Sequence, residues 1–185
     1  MRKLLFFAVF CLLFSWTHLA AQSSAAAAEI SFSFNRMSGF SSNQFAVWIE
    51  DGKGNVVKTL YATKFAASGG WAKRASAIPF WVTKSGLPDM SKKDIDAFTG
   101  ATPKAGELSY RWDGTDNNGV RMASGDYRVF LEATLREESR VLYSASFTLG
   151  TGTGSPAEAD VKSAYFGSRT YERKMIENVK VLYRP

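Results

Sequence analysis

One short stretch of this chain presents hydroxyls in a setting that suits covalent attachment. "DAFTGAT", Asp96 to Thr102, carries one carboxylate and two hydroxyls, with Gly100 and Ala101 between the threonines and Pro103 directly after. An aliphatic hydroxyl on so slim a segment can serve as a point of attachment. The small neighbours leave the backbone approachable, and the following proline favours an extended Thr102 that projects its side chain. The same residues can also form a plain turn, with Gly100 ending a helix and Thr99 and Thr102 bonding to nearby backbone.

The usual catalytic groups lie elsewhere, in a segment expected to be removed. The only Cys is Cys11 and the only His is His18. Both belong to an N-terminal stretch that opens on Arg2 and Lys3, runs through "LLFFAVFCLLFSW" and ends in the small residues of "THLAAQSSAAAAE". A short apolar run followed by small-residue cleavage sites is the pattern of a secretory signal peptide rather than a membrane span. Residues 1–28 are therefore expected to be the signal peptide, cut after Ala21 or Ala28, with the mature chain in the periplasm and not inserted in the membrane. The mature chain then has no disulfide, thiol nucleophile, Cys/His metal site or axial-His haem, and it lacks the commonest general base near neutral pH. No metal site is expected. Neither a Gly-x-Ser-x-Gly nor a paired-carboxylate pattern stands out, so a stand-alone hydrolase ranks below a carrier or binding protein.

The formal charge is +6, and +4 without Arg2 and Lys3. The remaining Lys and Arg residues are scattered, with no block of like charge, which argues against a nucleic-acid partner. Apolar content of 45% is enough for an ordinary globular core, and a disulfide-free exported domain depends on that core.

The elements that must position "DAFTGAT" read as β throughout. "EISFSFNR" alternates Ile30, Phe32 and Phe34 against Ser31 and Ser33. "QFAVWIEDGKGNVVKTLY" is a hairpin about the glycines of "DGKGN". "IPFWVTKSG", "LSYRWDG", "RVLYSASFTLG" and "ENVKVLYRP" are further strands. "DYRVFLEATL" places Tyr127, Val129, Leu131, Ala133 and Leu135 on one face and Arg128, Glu132 and Thr134 on the other. "MSKKDIDAF" is the exception: a short helix capped by Ser91, with Asp94 three residues on. "VKSAYFGSRTYERKM" is ambiguous. The expected fold is all-β, an immunoglobulin-like antiparallel sandwich of residues 29–185 with one short helix before residue 100 and a flexible loop at 150–160. Trp48, Trp81 and Trp112 are expected in the core or at its rim.

"WDGTDNNGVRMASGDYRV" reads as a turn between two strands, closed by Asp and Asn side chains and by glycine. Asp113, Asp116 and Asn118 are also oxygen donors of the kind calcium takes, but the EF-hand spacing and its bidentate Glu are missing, so the turn reading leads. "W-D-G-x-D-x-x-G" followed by "S-G-x-Y" resembles the immunoglobulin-like module of the flagellar hook-capping protein. Taken together, "FAVWIEDGKGNVVKTLY", "DAFTGAT" and "WDGTDNNGVRMASGDYRVFLEA", in that order, resemble an uncharacterised family of predicted periplasmic bacterial proteins, whose name carries no activity.

"DAFTGAT" also fits the pattern Asp-x-x-Ser/Thr-Gly-Ala-Thr/Ser. It resembles the acceptor site of exported and membrane-bound flavoproteins with covalent FMN, such as subunits of the sodium-pumping quinone reductase and the small FMN-binding domain. The resemblance implies that a periplasmic flavin transferase moves FMN from FAD onto the Thr102 hydroxyl as a phosphoester, with Asp96, Thr99, Gly100 and Ala101 as recognition residues. It further implies a role in periplasmic electron transfer, with a membrane redox protein as a candidate partner. Phe98, Trp71, Phe80 and Trp81 are candidates to stack on the flavin ring, and Lys92 or Lys93 to sit near the phosphate. The alternative is an immunoglobulin-like binding or assembly module without redox function or cofactor.

Overall fold

The computed structural model describes residues 27–38, 43–136, 138–150, 154–167 and 174–185. The expected signal peptide falls almost entirely outside them. Of its two candidate cleavage points, Ala28 lies inside the fold. Ala28 opens β1 (Ala28–Phe34), and Ala27 donates its N–H to Trp112 O (2.8 Å) and accepts from Arg184 N (3.0 Å).

The chain forms the expected all-β sandwich. The strands are β1, β2 (Gln44–Asp51), β3 (Val56–Thr63), β4 (Thr99–Gly100), β5 (Gly106–Trp112), β6 (Gly125–Arg136), β7 (Ser139–Leu149), β8 (Ala157–Glu158), β9 (Val161–Phe166) and β10 (Ile176–Tyr183). One sheet has the order β5-β1-β10-β8 and the other β4-β3-β2-β6-β7-β9. Every pairing is antiparallel except β3 with β4, which is parallel. The alternation read from β6 holds on its inner face: Tyr127, Val129, Leu131, Ala133 and Leu135 are buried between the sheets, with Phe32, Phe34 and Phe45. Trp112 closes the end of this core, and all three expected tryptophans are fully buried.

The outer face of the second sheet differs from the expectation. It is covered by residues 64–98, which hold α1 (Trp71–Lys73), α2 (Pro79–Ser85) and α3 (Lys92–Phe98) rather than one short helix. A second core of Ala46, Trp48, Ala62, Ile78, Trp81 and Phe130 fills the space beneath them, with Trp48 stacked on Phe130 at 5.0 Å and 10°.

The stretch "IPFWVTKSG", expected as a strand, is therefore helix α2. Its aromatic and β-branched residues favour strand, but Pro79 occupies the first turn and Gly86 ends the helix in the left-handed region. A tertiary contact completes the start. The buried Glu132 carboxylate accepts from Trp81 N (2.7 Å) and Phe80 N (3.2 Å) and from Arg140 Nη1 (3.0 Å). Thr134 Oγ1 beside it accepts from Ile78 N (2.9 Å) and donates to Ser76 O (2.8 Å). These bonds hold Ile78 at a φ of 45°, a conformation a β-branched residue rarely takes.

Residues 151–153 of the expected 150–160 loop lie outside the described residues; beyond them β8 pairs with β10 at Leu182↔Glu158 and Tyr183↔Ala157. The ambiguous stretch after it supplies β9, an edge strand on β7.

Candidate functional site

The acceptor-like segment sits where the two sheets meet at one side of the sandwich. Helix α3 starts as the sequence suggested: Asp94 N bonds to Ser91 Oγ (3.2 Å), and Ser91 Oγ donates to Asp94 Oδ2 (2.7 Å). It ends at Phe98 with Thr99 in an extended conformation. Thr99 and Gly100 then form β4, paired with Ala62 and Thr63. Residues 101–105 cross over, and β5 begins at Gly106 opposite Phe34 in the other sheet.

Gly100 is needed for space rather than for a turn. Its φ is not in the left-handed region, so it is not a helix-ending glycine of the αL kind. A Cβ there would lie 2.7 Å from Tyr61 Cε2. The Tyr61 ring cannot easily withdraw, because it packs on Phe45 and Tyr110, each at 5.0 Å between centroids. Its hydroxyl donates to Ala101 O at 2.8 Å, and burial pushes its pKa up to about 12, so it stays protonated as that donor. Burial raises Tyr110 as well, with the neighbouring Tyr61 adding to the effect. Tyr61 thus grips the segment at both Gly100 and Ala101. The sequence reading did not single out Tyr61; its only trace was a tyrosine near the end of a strand.

A mutational cycle tests this grip. Gly100→Ala is expected to destabilise the fold by about 1–3 kcal/mol through overpacking. Placed on Tyr61→Leu, the same change should cost clearly less, because neighbouring substitutions that relieve one clash are not additive. Denaturant unfolding of the four proteins reads the difference, and strict additivity would mean that Tyr61 is not what excludes a side chain at Gly100.

The five residues of the pattern are placed as follows. Asp96 and Ala101 are exposed, and Thr99, Gly100 and Thr102 are half-buried. No hydrogen bond involves the side chains of Asp96, Thr99 or Thr102 among the described residues. The local side-chain to backbone bonds of a plain turn are thus not formed by either threonine.

The aromatic candidates are distributed differently from the sequence expectation. Trp81 is fully buried, with its indole N–H on Thr59 Oγ1 (3.2 Å), so it offers no face to a ligand. Phe80 packs towards Trp48 and Phe130. Trp71 lines a groove of about 500 Å³ formed wholly by residues 71–89. Phe98 is half-buried, edge-on to Trp81 at 5.7 Å, and lines a groove of about 330 Å³ with Met90, Ala97, Thr59, Asn117 and Asn118. Lys92 and Lys93 lie in the first turn of α3, at the end away from Thr102.

The aspartates of the 113–120 turn are used within it. Asp113 accepts from Thr115 N (3.1 Å) and Thr115 Oγ1 (2.7 Å), and it pairs with Lys58 Nζ at 3.1 Å. Burial pushes its carboxyl up, but the bonds from Thr115 and Lys58 outweigh this and hold it below its ordinary range. Asp116 Oδ1 accepts from Asn118 N and Val120 N, both at 2.8 Å. This is the structural role read from the sequence. Among the described residues, no group of three or more His, Cys, Asp or Glu side chains is placed to hold a metal ion, and no helix is long and apolar enough to cross a membrane.

A family model described as "Predicted periplasmic protein (DUF2271)" matches residues 27–165. No curated protein and no solved structure matches the chain.

Proposed function

The chain belongs to this family of predicted periplasmic proteins, and from that premise we propose that it is an exported flavin carrier with FMN attached to Thr102. The observation that carries the reading is the geometry of the complete Asp-x-x-Thr-Gly-Ala-Thr pattern. Asp96 and Ala101 are exposed, and the Thr102 hydroxyl has no hydrogen-bond partner among the described residues. A periplasmic flavin transferase is the partner that would act on it. The Thr102 Oγ1 attacks the phosphorus on the riboflavin side of FAD. A new Oγ1–P bond forms, the P–O bond of the pyrophosphate breaks, AMP leaves, and the hydroxyl proton passes to a base of the transferase. Only a hydroxyl is required of this chain, which suits a mature protein without Cys or His. The bound flavin supplies the redox chemistry. The chain supplies attachment at Thr102, a segment positioned by Tyr61, and a surface for the ring, with a membrane redox protein as its exchange partner.

The test is the intact mass of the protein after coexpression with a periplasmic flavin transferase, followed by a visible spectrum in denaturant. One FMN per chain and flavin absorption that stays with the denatured polypeptide are expected. An unmodified mass with no yellow colour overturns the proposal.

A second reading has its own observation. β3 pairs with β4 only at Ala62 and Thr63, so Val56 to Tyr61 have no strand partner on that side among the described residues, and an unpaired strand edge can accept a partner strand. In that reading the chain is a binding or assembly module, and a stable protein partner is recovered equally from wild type and from a chain that carries no flavin.

A further inference from the structure

We infer that the groove between α3 and the 116–119 turn is the resting place of the flavin ring, an inference that rests on the attachment proposed above. The groove encloses about 330 Å³, within the range of small-molecule sites. One wall is the end of α3, with Ala97 and Phe98, and that helix runs directly into the acceptor segment. Phe98 and Thr102 are four residues apart, so their backbones are separated by at most about 14 Å, a gap that a ribityl-phosphate arm helps to span. The Trp71 groove is larger, but it takes no residue from α3 or from the acceptor segment.

The polarity of the groove matches a flat heteroaromatic ring with one apolar and one polar end. Met90 and Phe98 offer a soft apolar surface and a ring face. Asn117 and Asn118 also line it, together with Thr59 and the charged Lys58 and Asp94, and the side-chain amides of the two asparagines make no hydrogen bond among the described residues. Their backbone is fixed, because Asn118 N and Gly119 N bond to Asp116, so the amides are presented from a set turn. A primary amide both donates and accepts, which is what the pyrimidine edge of isoalloxazine, with alternating carbonyls and N–H, requires. The dimethylbenzene end would lie against Met90 and Phe98.

The experiment uses full-length flavinylated protein and reads flavin fluorescence and anisotropy, with intact mass as a check on attachment. In wild type the fluorescence is expected to be quenched several-fold relative to the flavopeptide released by proteolysis, with anisotropy close to that of the whole protein. The double variant Asn117→Leu with Asn118→Leu should keep one FMN per chain, raise the fluorescence towards that of the peptide and lower the anisotropy. Phe98→Leu, which keeps the wall filled but removes the ring face, should do the same to a smaller extent. Trp71→Leu should change neither signal. If wild type carries no FMN, the attachment itself is wrong. If FMN is attached but signals like the free peptide, or ignores both groove variants, or is released by Trp71→Leu, the groove is wrong and the attachment stands.

Discussion

Thr102→Ala is expected to abolish FMN incorporation, and Thr102→Ser to retain it. Alanine has no nucleophilic atom, so the expected loss is complete rather than partial. Serine offers the same hydroxyl with less crowding. Misfolding is not expected in this variant, because the Thr102 side chain is half-buried and makes no hydrogen bond among the described residues. Its removal should therefore shift stability by no more than about 0.5 kcal/mol. Thr99→Ala is the control. It removes the other hydroxyl of the pair and should slow labelling by weakening recognition, without preventing it. Intact mass at several times of coexpression separates the three. Labelling that survives Thr102→Ala would move the attachment elsewhere and remove the basis of the proposal.

The largest effect on stability is expected at Glu132. Its side chain is fully buried, while its partner Arg140 is 25% exposed, and it serves two N–H groups at the start of α2 besides that guanidinium. Glu132→Ala strands all three donors and should cost about 3–5 kcal/mol, the loss typical when one partner of a buried pair is removed. For a domain of this size that is a fall in Tm of roughly 6–20 °C. Glu132→Gln keeps one acceptor oxygen and should lose less, about 1–3 kcal/mol. The pH dependence has a definite sign. Burial pushes the carboxyl up from its ordinary range, against the pull of the Trp81 and Phe80 N–H groups and of Arg140. The folded chain therefore holds this proton to higher pH than the unfolded chain, whose glutamates titrate near about 4.3. Below that value both states are protonated and the group contributes no slope. Stability falls as pH rises from there through the folded value, then levels off. Denaturant titrations across mildly acidic pH should show that slope in wild type and not in Glu132→Gln.

Glu132 also marks how far the sequence could be read. The alternation in "DYRVFLEATL" correctly divided β6 into two faces. It could not show that the face with Glu132 and Thr134 was also buried, because a second layer of helices covers it. The signals for that layer were present at Pro79 and Gly86, but the strand-favouring Phe80, Trp81 and Val82 spoke against them. What decided the outcome was a carboxylate some fifty residues later in the chain, which no local pattern carries. The hairpin, the Ser91 cap and the Asp116 turn were legible because their bonds are local. At the candidate site, the residues proposed for attachment stand out in the sequence as a local motif. The grip of Tyr61 on Gly100 and Ala101 joins residues about forty positions apart, and the groove joins α3 to a turn beyond β5.

The pairing of β1 with β10 sets a timetable. The acceptor segment is anchored on one side by β4 on β3 and on the other by β5, whose partner is β1. The remaining edge of β1 is filled by the last strand, with Ala28 opposite Tyr183. The sheet that holds the downstream end of the segment is complete only when nearly the whole chain is present. Until β10 is present, β1 lacks one of its two partners and the frame around Thr102 is incomplete. Contacts between the two ends of a chain are among the slowest to form. The modification proposed at Thr102, if made on the folded protein, therefore belongs after β10 has paired, and a truncation that removes only β10, far from Thr102 in sequence, should disturb the segment as much as a change beside it.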